Sequence, residues 1–168
     1  MEFEKVIRER TAIRKFKDKQ IKKEELDNVL EAGRLAPTAK NIQPQKIYVV
    51  QSSEGIEKID KASPCRYNAP TVLIVCSNKD IAFKKDDYST YEMDACIVAT
   101  HMMLEATNVG LGSIWIEFFD GEKLKKEFDL GKNIEPICLI PLGYVADDYN
   151  GNPMHNNRKS LNEIVEYK

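Results

Sequence analysis

The stretch from residue 88 to residue 109 places the strongest constraint on this chain. Read at about 100° per residue, it carries two apolar stripes rather than one. The first runs through Met93, Cys96, Ile97, Thr100, Met103 and Leu104, and the second through Ala95, Ala99, Met102 and Ala106. A helix on the surface of a monomer needs a single stripe. The pattern therefore predicts a long helix over 88–109 covered on two sides, either within the core or across a subunit interface. Gly110 follows at once and predicts the C-terminal cap.

Shorter elements arrange themselves around that helix. Helices are predicted over Phe3–Glu9 and Lys23–Leu35, the second with Leu26, Val29, Leu30 and Ala32 on one side and Pro37 stopping it. Residues 37–44, PTAKNIQP, have the composition of an ordered loop, and 46–50, KIYVV, read as a strand. A helix near 54–60, strands over 70–76, 113–116 and 137–142, and a helix over 122–128 complete the pattern, before a polar tail over 147–157. No repeat, low-complexity tract or linker divides the chain, so residues 1–168 read as one domain. Strands alternating with helices predict a mixed central β-sheet flanked by helices.

Charge excludes some partners. The 25 basic and 27 acidic residues leave a formal net charge of -2, which gives no general attraction to nucleic acid or anionic membrane. The longest apolar run, 72–76, is too short to span a bilayer, and the first ten residues hold no apolar signal region, so a cytoplasmic protein is expected. Cys65, Cys76, Cys96 and Cys138 form no CxxC pair and read as buried thiols. His101 and His155 have no partner at metal or triad spacing, and neither GxGxxG nor GxxxxGK[ST] occurs. No metal site and no nucleophilic dyad is expected.

Two basic pairs remain, Arg10 with Arg14 and Arg158 with Lys159. Guanidinium groups fit phosphate oxygens through forked, charge-assisted hydrogen bonds. Spacing alone also fits a solvated face. In the 37–44 loop, Thr38, Asn41 and Gln43 carry groups able to bond the edge of a heterocycle.

Taken in order, four segments resemble the nitroreductase family of FMN-dependent oxidoreductases. RTAIRKF at 10–16 is similar to the family's R-x-S-x-R-x-F segment, and APTAKNIQPQKIYVV to its A-P-S-x-x-N-x-Q-P-W-x-F loop and strand. DACIVATHMMLEATNVGLGSIWI resembles the long dimer helix with its GLG and strand, and PLGY with RKSLNEIV the closing signature. Ala12 and Thr38 stand where serine is usual, Gln45 where tryptophan is frequent, and Phe118 where many relatives have glycine.

The resemblance implies an α+β fold of the nitroreductase type, with the long helix at a homodimer interface. It also implies one FMN per subunit interface, NADH or NADPH as electron donor, and a small-molecule acceptor such as a nitroaromatic or quinone. Arg10, Arg14, Arg158 and Lys159 are the implied phosphate ligands, with Thr11 and Ala12 contributing mainly backbone. Asn41 is implied at the pyrimidine edge, with Pro37, Thr38 and Ala39 approaching from the other subunit. Trp115, Ile116 and Glu117 are implied beside the ring, whose N5 carries the chemistry. The same resemblance extends to specialised relatives (dehalogenases, flavin-fragmenting enzymes, enoyl-type reductases) and to a non-catalytic flavin-binding module.

Overall fold

The computed structural model describes residues 2–168. Its centre is a four-stranded sheet in the order β1 (Gln45–Val50), β2 (Thr71–Asn78), β6 (Ile134–Gly143), β5 (Gly112–Ser113). All three pairings in this sheet are antiparallel. A parallel component enters through one isolated bridge, Ala12 to Ser113. A small hairpin of β3 (Lys84–Lys85) and β4 (Tyr88–Ser89) stands apart from it.

Strand β2 explains why the sheet is covered on both sides. Its residues are apolar without alternation, as expected of a strand with no solvent face. Leu73 and Val75 pack with helices α2 (Lys23–Leu35) and α4 (Tyr91–Asn108), through Val29, Val98 and Met102 among others. Val72, Ile74 and Cys76 point the opposite way, toward Ile59 of α3 (Ser53–Ala62) and Leu124 of α5 (Gly121–Glu127). The result is three layers, helix on sheet on helix, with the apolar core split in two by the sheet. Capping is local: Ser52 accepts from the Gly55 N–H at 3.1 Å and Asp120 from the Lys123 N–H at 2.9 Å.

Helices α1 (Phe3–Glu9) and α2 have the predicted bounds. The long helix begins three residues later than its apolar pattern, because Tyr88 and Ser89 pair with Lys85 and Lys84. It ends as Gly110 predicts. Gly110 has φ +82°, its N–H donates to the Thr107 carbonyl at 3.1 Å, and that of Leu111 donates to Ala106 at 2.8 Å. This pair of bonds is a Schellman cap, and it turns the chain directly into β5. The strand expected over 113–116 is shorter: β5 stops at Ser113, and pairing resumes at Ile116, which exchanges two 3.0 Å hydrogen bonds with Leu139.

Only one side of α4 is buried. Ala95, Val98, Ala99, Met102 and Ala106 face the core, whereas Met93 is 49% and Ile97 38% exposed. Among the described residues no helix is long and apolar enough to cross a membrane.

At Gly112, β5 meets residues 10–17 with no space to spare. A Cβ there would lie 2.8 Å from both Ile13 Cγ1 and Val145 Cγ2. Gly112→Ala is therefore expected to destabilise the chain by about 1–3 kcal/mol through overpacking. Urea denaturation reads this as a lower midpoint with an unchanged slope.

Candidate functional site

Residues 10–17 run along one edge of the sheet. The Ile13 N–H donates to Ser113 at 3.0 Å, the Lys17 N–H to Tyr144 at 2.8 Å, and the Ala146 N–H to Lys15 at 3.1 Å. Ile13 and Phe16 point inward and are buried, so Arg14 is turned out to solvent while Arg10 and Thr11 stay half-buried. Sequence order thus becomes an exposed basic strip on a rigid edge.

The polar tail returns to this strip. Tyr149 Oη donates to the Ala12 carbonyl at 2.7 Å, and His155 Nε2 is 2.7 Å from the Arg8 carbonyl. Lys15 pairs with Asp148, and Lys17 with Asp147 at 2.6 Å. Arg158 consequently lines a cleft of about 380 Å³ together with Ile7, Arg8 and His155. The tail is thus brought back to residues 8–12, with Arg158 in the same cleft as Ile7 and Arg8. Lys159 follows Arg158 and is exposed.

Carboxylates sort the six arginines into two groups. Arg8 is bonded to Glu4, Arg34 to Glu31 and Arg66 to Asp60, each through two nitrogens at 2.7–3.1 Å. Arg10, Arg14 and Arg158 have no carboxylate partner among the described residues. Arg158 donates only to the Asn157 and Met154 carbonyls, at 2.9 and 3.4 Å. Next to Arg10 in the chain, Thr11 Oγ1 is buried without a hydrogen-bond partner among the described residues. Unneutralised guanidinium groups next to an unsatisfied hydroxyl are a donor set suited to a phosphate.

From Ser113 the chain runs on to Trp115, Ile116 and Glu117, about 13 Å further if extended. Trp115 Nε1 donates to Glu117 Oε1 at 2.9 Å, fixing that carboxylate at the surface. One cleft of about 380 Å³ joins Glu117 to Tyr91, Glu92, Cys96 and Glu135. A second, of about 340 Å³, joins it to Pro64, Phe118 and Phe119. Burial pushes Glu135 up, but hydrogen bonds from Lys125 at 2.8 Å and Lys79 at 2.6 Å outweigh it and hold the carboxyl below its ordinary value. Burial raises the Cys96 thiol, helped by Glu117 and Glu92, and drives Cys76 to about 12. Neither thiol is set up as a thiolate nucleophile.

The 38–43 loop is held on the other side of α4. Lys40, Asn41 and Gln43 have φ of 52°, 55° and 56°, a left-handed run that lysine and glutamine adopt only under constraint. The constraint is Asp94, 2% exposed. Its Oδ1 accepts the Ala39 N–H and its Oδ2 the Thr90 hydroxyl, both at 2.8 Å. Thr38 Oγ1 accepts the Gln43 N–H at 3.0 Å, and Lys40 Nζ sits 4.4 Å above the Phe83 ring. Thr38, Ala39 and Asn41 thus belong to one pinned turn. At about 100° per residue, Asp94 projects opposite to Glu92 and Cys96, so within one protomer the loop and the Glu117 cleft lie on opposite faces of α4.

Asp94 escaped sequence reasoning, which used it only as the first residue of the long helix motif. Its signal was present: a carboxylate in line with Val98 and Met102 on a buried stripe needs buried donors.

A family model for the nitroreductase family matches residues 7–66 and 60–144. The chain belongs to the nitroreductase family. A nitroreductase family protein from Clostridium difficile 630 has a crystal structure similar to this fold, with a TM-score of 0.93 and 37% identity over 100% of this chain and 99% of that one. An FMN-dependent nitroreductase from Clostridium difficile R20291 is similar at a TM-score of 0.77 and 26% identity, covering 96% of each chain. In sequence, the FMN reductase [NAD(P)H] of Bacillus subtilis is 26% identical over 163 residues, 85% of this chain and 66% of the relative.

Asp94→Ala strips the acceptor from a backbone N–H and a buried hydroxyl at once. A loss of about 2 kcal/mol or more is expected from the stranded donors. Thermal unfolding of the variant reads it, and hydrogen exchange at the Ala39 amide should quicken; a protected amide would show that Asp94 does not hold the loop.

Proposed function

We propose that this chain is an FMN-dependent oxidoreductase that accepts hydride from NADH or NADPH. It delivers the hydride, in ping-pong order, to a small organic acceptor such as a nitroaromatic or quinone. The observation that carries this reading is that Arg10, Arg14 and Arg158 have no carboxylate partner among the described residues, while Thr11, next to Arg10 in the chain, keeps a buried hydroxyl without a hydrogen-bond partner and the tail bearing Arg158 is bonded back to the Arg8 and Ala12 carbonyls. Family membership and relatives named for FMN and NAD(P)H support it.

In this reading Arg10, Arg14, Arg158 and Lys159 hold the FMN phosphate, with Thr11 adding its hydroxyl and Ala12 its backbone. Trp115, Ile116 and Glu117 border the ring along the strand that leads away from the basic strip. Bound FMN supplies the redox chemistry, taking up a hydride equivalent at N5 and giving it to the acceptor. The chain's own contribution would be binding and orientation: β5 links the basic strip to Trp115, Ile116 and Glu117, and the Trp115 indole fixes the Glu117 carboxylate.

The site draws on two protomers. Pro37, Thr38, Ala39 and Asn41 lie across α4 from Glu117, so this turn serves the partner's flavin rather than its own, and Asn41 travels with it. The uncovered face of α4, with Met93 and Ile97, and the neighbouring cleft of about 430 Å³ lined by Phe3, Val6, His101 and Leu104 form the apolar surface for that homodimer. The 1–168 chain acts as one FMN-binding domain in the cytoplasm, with neither nucleic acid nor membrane as a partner.

The deciding measurement is the visible spectrum of the FMN-loaded protein, followed anaerobically as NADH and then NADPH are added. Bleaching of the flavin band is expected, and a yellow protein indifferent to both donors would remove the reductase reading. Arg10→Ala should also weaken FMN binding by about tenfold or more, since each charge-assisted contact is worth roughly 1.5–3 kcal/mol. Sedimentation should find the flavin in a dimer; a flavin-loaded monomer contradicts the shared site.

A further inference from the structure

The tail that carries Arg158 has almost no core to hold it. Nearly every side chain from 150 to 168 is exposed, and α6 (Leu161–Ile164) is a single turn. Its two ion pairs to the basic strip, from Asp147 and Asp148, are solvent-exposed, and such pairs contribute little. What fixes the tail is a pair of long-range hydrogen bonds to backbone carbonyls. Tyr149 Oη donates to Ala12 and the N–H of His155 Nε2 donates to Arg8, both at 2.7 Å. These carbonyls lie two residues to either side of Arg10. The Arg8 carbonyl is also one of those left free at the C-terminal end of α1, where a histidine donor is favoured by the helix dipole.

We propose that Tyr149 and His155 are positioning residues of the phosphate site: they clamp the tail across the main chain of Arg10 and thereby set where Arg158 stands. This rests on the reading that Arg158 binds the FMN phosphate. His155 fixes Arg158 through a short connection, since only two residues separate them and the turn between them is closed by the Asn157 N–H donating to Met154 at 3.1 Å. Tyr149 fixes the start of the same segment. In this role each acts through the placement of Arg158, its hydrogen bond being made to main chain.

The test compares FMN with riboflavin, which lacks the phosphate, by quenching of flavin fluorescence on titration with the full chain stripped of flavin. Arg158→Ala and His155→Ala should each raise the FMN dissociation constant about tenfold or more while leaving that of riboflavin within about twofold. His155→Gln restores a donor and should recover most of the loss. Tyr149→Phe removes only a hydroxyl and should weaken FMN without affecting riboflavin. The double variant His155→Ala with Arg158→Ala should be no weaker than Arg158→Ala alone, because the two act as one unit. Additive losses, or equal losses for both flavins, overturn the positioning role. So does an unchanged FMN constant in His155→Ala when Arg158→Ala is weakened. An unchanged constant in Arg158→Ala instead overturns the phosphate reading itself, and this inference with it.

Discussion

The long helix α4 is apolar on two sides but buries only one of them within this chain, and the architecture here is arranged around that mismatch. The side of α4 with small residues, Ala95, Ala99 and Ala106, lies against β2, β6 and α2, where short side chains permit close approach. Gly33 of α2 shows how close: a Cβ there would sit 2.8 Å from Met102 Cγ. The same helix delivers Asp94 to the 38–43 loop from its buried side and Cys96 and Glu92 to the Glu117 cleft from the other. Its Schellman cap aims the chain into β5, and β5 in turn anchors the basic strip. Moving α4 would disturb the loop, the cleft and the strip together.

Charge is distributed with a similar economy. Three arginines are neutralised by carboxylates within six residues in sequence, a local arrangement that leaves them structurally inert. The other three have no acidic neighbour bonded to them among the described residues. A guanidinium group without a carboxylate keeps its charge-assisted donors available to an anion. The proposed phosphate reading draws on both family membership and these unpaired charges.

Much of the fold was legible in the sequence because it is encoded by periodicity. Helices α1 and α2 lie where the pattern puts them, and the apolar runs 72–76 and 137–142 form the centres of β2 and β6, although β6 begins three residues earlier than its run, at Ile134. Boundaries slipped where a tertiary contact overrode local preference, as when pairing with Lys85 and Lys84 draws Tyr88 and Ser89 out of the long helix. The basic residues were legible as pairs, and the family resemblance implied that they share one phosphate, whereas the contacts that return the tail to residues 8–12 were not legible. These are Tyr149 reaching Ala12 and His155 reaching Arg8, contacts between a side chain and a backbone carbonyl that leave no mark in residue spacing. His155 looked idle because its partner is main chain. Asp94 was hidden for the same reason, its acceptor role being directed at a backbone N–H.

The two halves of the site are held by different physics. The 38–43 loop stores strain, with non-glycine residues in the left-handed region costing of order 1–3 kcal/mol each, and a buried carboxylate compensates it. That half is rigid before any ligand arrives, which removes the ordering cost from binding. The tail is the reverse: exposed, short of core contacts and tied down by two hydrogen bonds of modest net worth. Its local opening therefore costs far less than global unfolding. An anion bridging Arg158 to Arg10 and Arg14 would add charge-assisted bonds to the closed form alone, and so tighten the soft half onto the rigid edge by mass action. On the proposed reading, phosphate binding and tail ordering would be a single equilibrium, in which the protein sets the geometry and the ligand completes it.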